Sequence, residues 1–114
     1  MNNNQTDPLR DLAQSTYDFF DRFDVSPKPE NASKNFLEEV NELLDAVELG
    51  ENQTHIAEEA ADVFVTVIGL CASVGVTIDD LVSQAYRVID KNDAKNHETH
   101  IHLDGKIRRR SSKQ

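Results

Sequence analysis

The chain has 114 residues, 38% hydrophobic but only 6% aromatic, and a net charge of −9. That length supports one aliphatic core and a single domain over 1–114, not two. An acidic balance of this size argues against general DNA or RNA binding, because like charges repel the phosphate backbone.

The amino terminus, NNNQTD after Met1, has none of the basic and apolar regions of a signal peptide. Residues 1–6 and 110–114 read as flexible ends. Asp7-Pro8 predicts a helix start, with Asp as N-cap and Pro at the first helical position. Leu9, Leu12, Tyr17, Phe20 and Phe23 continue an imperfect helical stripe to about residue 23. VSPKPEN at 25–31 reads as a proline-broken loop. Phe36, Val40, Leu43, Leu44 and Val47 fall on one face of a second helix, which Gly50 closes.

ENQT then makes a short connection to a third helix at about 54–74. Its segment Val63 to Leu70 has no polar face, so it is expected to be buried on several sides. So small a chain can barely surround such a helix, which predicts a homodimer or homotetramer. The apolar stretch 63–76 is 14 residues long, against the roughly 18–20 needed to span a membrane. Cys71 is the only cysteine and reads as core. No intramolecular disulfide can form, which suits a reducing cytoplasm. Thr77 to Asp80 forms a capping box with Asp in place of Glu, opening a fourth helix striped by Ile78, Leu81, Val82, Ala85, Val88 and Ile89. Asp104-Gly105 then sits between short alternating segments, a hairpin signal. The predicted fold is all-α, four to five helices in a bundle with a short C-terminal hairpin.

The charge is uneven. Residues 1–90 carry five basic and eighteen acidic side chains, and residues 91–114 carry seven and three. A basic C-terminal segment can meet a phosphate ligand, although RRRSSKQ at 108–114 by itself reads as a solvated tail.

Two acidic groups carry the chemistry: Glu38, Glu39 and Glu42 in the second helix, and Glu58, Glu59 and Asp62 at the start of the third. Residues three apart on a helix are neighbours, so Glu39/Glu42 and Glu59/Asp62 form side-by-side pairs at the edge of the core. The short connection makes the helices antiparallel neighbours. Bundle packing or a second subunit is needed to bring the pairs together. Clustered carboxylates repel and are costly to desolvate, and the third helix has no Lys or Arg to offset them. Mg²⁺, or Mn²⁺ in its place, suits oxygen ligands. A solvated acidic face is the competing interpretation, favoured for Glu48, Glu51 and Glu58.

The pairs E-x-x-E and E-x-x-D resemble the all-α nucleoside triphosphate pyrophosphatases, a superfamily that includes MazG-like enzymes and phosphoribosyl-ATP pyrophosphatase. FLEEVNELLDAVE is similar to that family's first metal helix and EEAADVFVTVIGLCASVGVTIDDL to its second. KNDAK at 91–95, DGKIRR at 104–109 and the aromatic lead-in YDFFDRFDVSP at 17–27 are similar to one subgroup. The resemblance covers roughly 17–110, with Lys34 where that subgroup often has Arg. It implies Mg²⁺-dependent attack of water on the α-phosphorus of a (deoxy)nucleoside triphosphate, giving monophosphate and pyrophosphate in nucleotide-pool housecleaning. By matching position it implies Glu39, Glu42, Glu59 and Asp62 as metal ligands. Glu38 and Glu39 are implied in catalysis, Glu38 as a water-activating base or an outer-shell group. Asn92 and Lys95, with Lys91, Lys106 and Arg109, are implied as nucleotide contacts. The rival activity is phosphoribosyl-ATP hydrolysis in histidine synthesis; a non-catalytic acidic helical module is the rival from another class. Phe19, Phe20 and Tyr17 read as core, with base stacking as the alternative. His100 and His102 share one face of a hairpin, and His55 and His97 read as surface.

Overall fold

A computed structural model describes residues 7–111. Of the ends expected to be flexible, 1–6 and 110–114, residues 1–6 and 112–114 lie outside the described residues. Four helices and one hairpin form: α1 (Pro8–Arg22), α2 (Pro29–Glu48), α3 (Gln53–Ser73), α4 (Ile78–Asp93), β1 (His100–Leu103) and β2 (Lys106–Arg109). They fall into two compact units, one up to Leu81 and one from Val82 onward.

In the first unit α3 packs against both α1 and α2. Asp7 caps α1 by accepting from the Arg10 N–H at 3.1 Å, and Asn52 caps α3 through the His55 N–H at 2.9 Å. Gly50 ends α2 with φ of 67°. Its N–H donates to Val47 O while that of Glu51 reaches back to Ala46 O, both at 3.1 Å. This pair of bonds needs a left-handed residue, which only glycine adopts without steric cost. Asp24 closes α1 in the same way, at φ 55°.

The Thr77–Asp80 capping box is present: Asp80 N–H donates to Thr77 Oγ1 at 3.0 Å, and Thr77 N–H to Asp80 Oδ2 at 3.4 Å. Tyr17 ties α1 to the α3–α4 turn by donating its hydroxyl to Val76 O at 2.7 Å. Burial, and then the nearby Cys71, raise the pKa of that phenol. Arg10 pairs with Asp79 at 2.7 Å.

Two expectations need correction. The loop ends earlier than 31, because Pro29 takes the first position of α2, where its missing N–H costs nothing. Within a single chain α3 is covered only in part: Ile68 and Gly69 are buried, whereas Phe64 is 57% exposed. Cys71 is half-buried rather than core. The side chains buried among the described residues are mostly small: Ala13, Thr16, Ala32 and Ala46, with Ile68 and Val82.

In the second unit β1 and β2 pair antiparallel, from His100↔Arg109 to Leu103↔Lys106. Asp104 and Gly105 both have positive φ, 54° and 77°, the backbone that a two-residue hairpin turn requires.

Candidate metal centre

The acids meet because of where they stand relative to the connection between α2 and α3. Glu42 lies six residues before the last residue of α2, and Glu59 six residues after the first residue of α3. Glu39 and Asp62 are each nine residues from the same ends. In an antiparallel pair, equal distances from the turn are equal heights, here about 9 Å and about 13 Å along the axis at 1.5 Å per residue. No second subunit is needed: carboxylate oxygens of Glu39, Glu42 and Glu59 lie within 4.8 Å of one another in one chain.

Asp62 lies outside that trio but is close enough for its charge to act on Glu39. Glu38, next in sequence, is exposed.

Glu39 bears the electrostatic consequence. Its Oε2 is buried and, among the described residues, is the one such side-chain atom without a hydrogen-bond partner. Its neighbours are carboxylates, which accept and do not donate unless protonated. A hydrogen bond with Glu42 therefore requires a proton on one of the two. That shared bond, burial, and the charges of Glu42, Asp62 and Glu59 push the Glu39 pKa from 4.5 up to about 7. A hard divalent cation satisfies the same oxygens without the proton. The donor set, three converging carboxylates with an orphaned buried oxygen, fits such an ion.

His55 borders this centre, and the sequence reading passed over it. Its Nε2 lies 3.1 Å from Glu51 and 3.9 Å from Glu59, and its Nδ1 3.5 Å from Glu58. With Glu58 and Glu59 it forms a second group able to hold a metal ion. The signal was the spacing: Glu51 and Glu59 stand four residues to either side of His55, and Glu58 three after it.

The expected nucleotide contacts lie in the second unit. The Lys95 ammonium donates to Asn92 Oδ1 at 2.9 Å, and both residues line a cavity of about 700 Å³ with His97, His100 and His102. Lys91, Lys95 and Arg109 line a second hollow of about 340 Å³ together with His100. Burial, followed by the charges of Lys95 and Arg109, lowers the His100 pKa. Lys106 lines neither; it pairs with Leu103 across the hairpin.

The family model of the MazG nucleotide pyrophosphohydrolase domain matches residues 28–100, more than half of the chain, and takes in α2, α3, α4 and all four paired acids. No curated protein and no solved structure matches the chain. No described helix is long and apolar enough to cross a membrane. On the strength of the family match, the chain belongs to the MazG nucleotide pyrophosphohydrolase domain family.

Proposed function

We propose that this protein, acting as one domain, is a Mg²⁺-dependent pyrophosphohydrolase that converts (deoxy)nucleoside triphosphates to monophosphates and pyrophosphate. The observation that carries this reading is the convergence of Glu39, Glu42 and Glu59 around the donorless Oε2 of Glu39. Glu39, Glu42 and Glu59, with Asp62 alongside, are the residues that would hold the ion. A divalent cation bound there supplies positive charge for phosphate oxygens and lowers the pKa of water.

In the reaction a water oxygen bonds to the α-phosphorus, the bond from that phosphorus to the bridging oxygen breaks, and pyrophosphate leaves. The water's proton goes to a carboxylate, for which the exposed Glu38 is our choice. Asn92 and the cations Lys91, Lys95, Lys106 and Arg109 are assigned to the nucleotide, as hydrogen-bonding and phosphate-pairing groups.

The experiment incubates purified protein with Mg²⁺ and each canonical dNTP and NTP and separates the products. The expected result is monophosphate plus pyrophosphate, abolished by EDTA and by Glu59→Gln. Orthophosphate release instead, or turnover that survives in Glu59→Gln, would overturn the reading.

A further inference from the structure

His55 is the one basic side chain between Lys34 and Arg87: residues 35–86 contain no Lys, no Arg and no other histidine. That stretch nonetheless holds every carboxylate of the metal centre. Neutralising acids is a task better met by lysine or arginine, which are cationic throughout the ordinary pH range. Imidazole differs from both in having a nitrogen lone pair with which to bind a metal ion.

Local structure puts the ring where that lone pair matters. Asn52 accepts the His55 N–H at 2.9 Å and so fixes residue 55 in the first turn of α3. Glu58 and Glu59, three and four residues on, share its face of the helix. Each ring nitrogen has a carboxylate against it, Glu51 3.1 Å from Nε2 and Glu58 3.5 Å from Nδ1. A neutral imidazole has a single N–H, so one of these nitrogens meets its carboxylate lone pair to lone pair. A cation at that nitrogen turns a repulsive contact into two attractive ones.

We propose that His55, Glu58 and Glu59 form a second ion position, selective for a transition-metal dication such as Zn²⁺, beside the all-oxygen position of Glu39, Glu42 and Glu59. The inference rests on that part of the pyrophosphohydrolase reading which makes the acids a metal centre. Glu59 belongs to both groups, and its carboxylate has an oxygen for each. Its side chain is 15% exposed against 70% for Glu58, so the shared ligand is the fixed one and Glu58 the adjustable one. One atom from each of His55, Glu58 and Glu59 lies within 4.8 Å of the other two. Ligands of one ion stand at most about 4.4 Å apart, twice a bond of roughly 2.2 Å, and a small movement of the exposed Glu58 closes the difference. Donor type then sorts the ions. Mg²⁺ takes oxygen ligands, whereas imidazole suits Zn²⁺ and its neighbours in the first transition row.

The test keeps the ¹⁵N-labelled full chain in excess Mg²⁺ and adds Zn²⁺. One equivalent should bind per chain and shift the ring nitrogens of His55, with His97, His100 and His102 as internal controls. His55→Gln should weaken Zn²⁺ binding by at least about tenfold, the lower end for disturbing a metal site, while the rise in Tm caused by Mg²⁺ persists. Glu58→Gln should show the same selective loss, and Glu59→Gln should lose both responses. Zn²⁺ binding that leaves the His55 ring unmoved, shifts confined to the other histidines, or undiminished Zn²⁺ affinity in both His55→Gln and Glu58→Gln would overturn the proposal. Mg²⁺-dependent turnover with an unmoved His55 ring would overturn it while leaving the hydrolase reading intact. A shifted ring without turnover on any triphosphate would do the reverse.

Discussion

At the scale of single residues, Glu39 concentrates the molecule's conflict between stability and function. Its carboxyl titrates near 7 in the fold against an ordinary 4.5, so between those values the folded chain binds more protons than the unfolded one. Stability then falls as pH rises. Below about 4.5 both states are protonated and the penalty vanishes; above about 7 it is fully present. The metal-free protein should therefore show a melting temperature that declines across pH 4.5–7, and millimolar Mg²⁺ should reverse the decline at pH 7 by binding only the folded state. Glu39→Gln removes the charge and places a donor beside Glu42. It should flatten the pH dependence, raise metal-free stability by on the order of 1 kcal/mol, and abolish the Mg²⁺ response. Melting curves at several pH values, with and without EDTA, check all three. A Glu39→Gln protein that Mg²⁺ still stabilises would remove Glu39 from the ion's ligands.

At the scale of elements, the ends of helices were the most legible features, because caps are local chemistry. Asp7-Pro8, Gly50, Thr77–Asp80 and Asp104-Gly105 all do what their residue types predict. The start of α2 was not legible: Lys28 offers no side-chain cap, so Ser-Pro-Lys-Pro reads as loop until the second proline is seen as the first helical residue. The partial cover of α3 within one chain was legible in kind, since so small a chain can barely surround it. Composition reports how apolar a helix is, but not which of its residues the chain covers. The meeting of the acids was readable in principle. Four residues, Leu49 to Asn52, separate the helices, and so short a link sets Glu42 opposite Glu59. What the spacing of each pair alone leaves open is which face of α2 turns toward α3. Gly50 holds that link, so Gly50→Ala should cost about 1–2 kcal/mol for a non-glycine residue in the left-handed region. In a domain of this size that is a drop of roughly 4–8 °C in Tm per kcal/mol. Gly50→Asn, which tolerates that backbone better, should lose less, and equal losses in thermal melts would show that φ is not what the position requires.

At the scale of the whole molecule, the balance of covered and uncovered apolar side chains is uneven. Among the described residues the only large aliphatic side chains that are buried are Ile68 and Val82, whereas Leu37, Leu44, Val47 and Phe64 on α2 and α3 are all more than half exposed. Leu37 and Leu44 are seven apart and Val47 three further on, so they share one side of α2. Soluble monomers rarely leave apolar patches larger than a few hundred Å² in contact with water, and burying them yields about 25 cal/mol per Å². We therefore propose that copies of the chain associate through this side of the α2–α3 pair, as a dimer or a tetramer. The acids already converge within one chain, so association is expected to stabilise the centre rather than assemble it. Sedimentation at micromolar concentration should report a species of at least twice the 12.8 kDa chain mass, with a Tm that rises with protein concentration. Leu44→Glu and Phe64→Glu should each shift the equilibrium toward monomer and lower Tm. The same variants should still be stabilised by Mg²⁺, because Glu39, Glu42 and Glu59 come from one helix pair. A wild-type chain that sediments as a monomer would refute the association. Dissociated variants that no longer respond to Mg²⁺ would show instead that the metal centre depends on the partner copy.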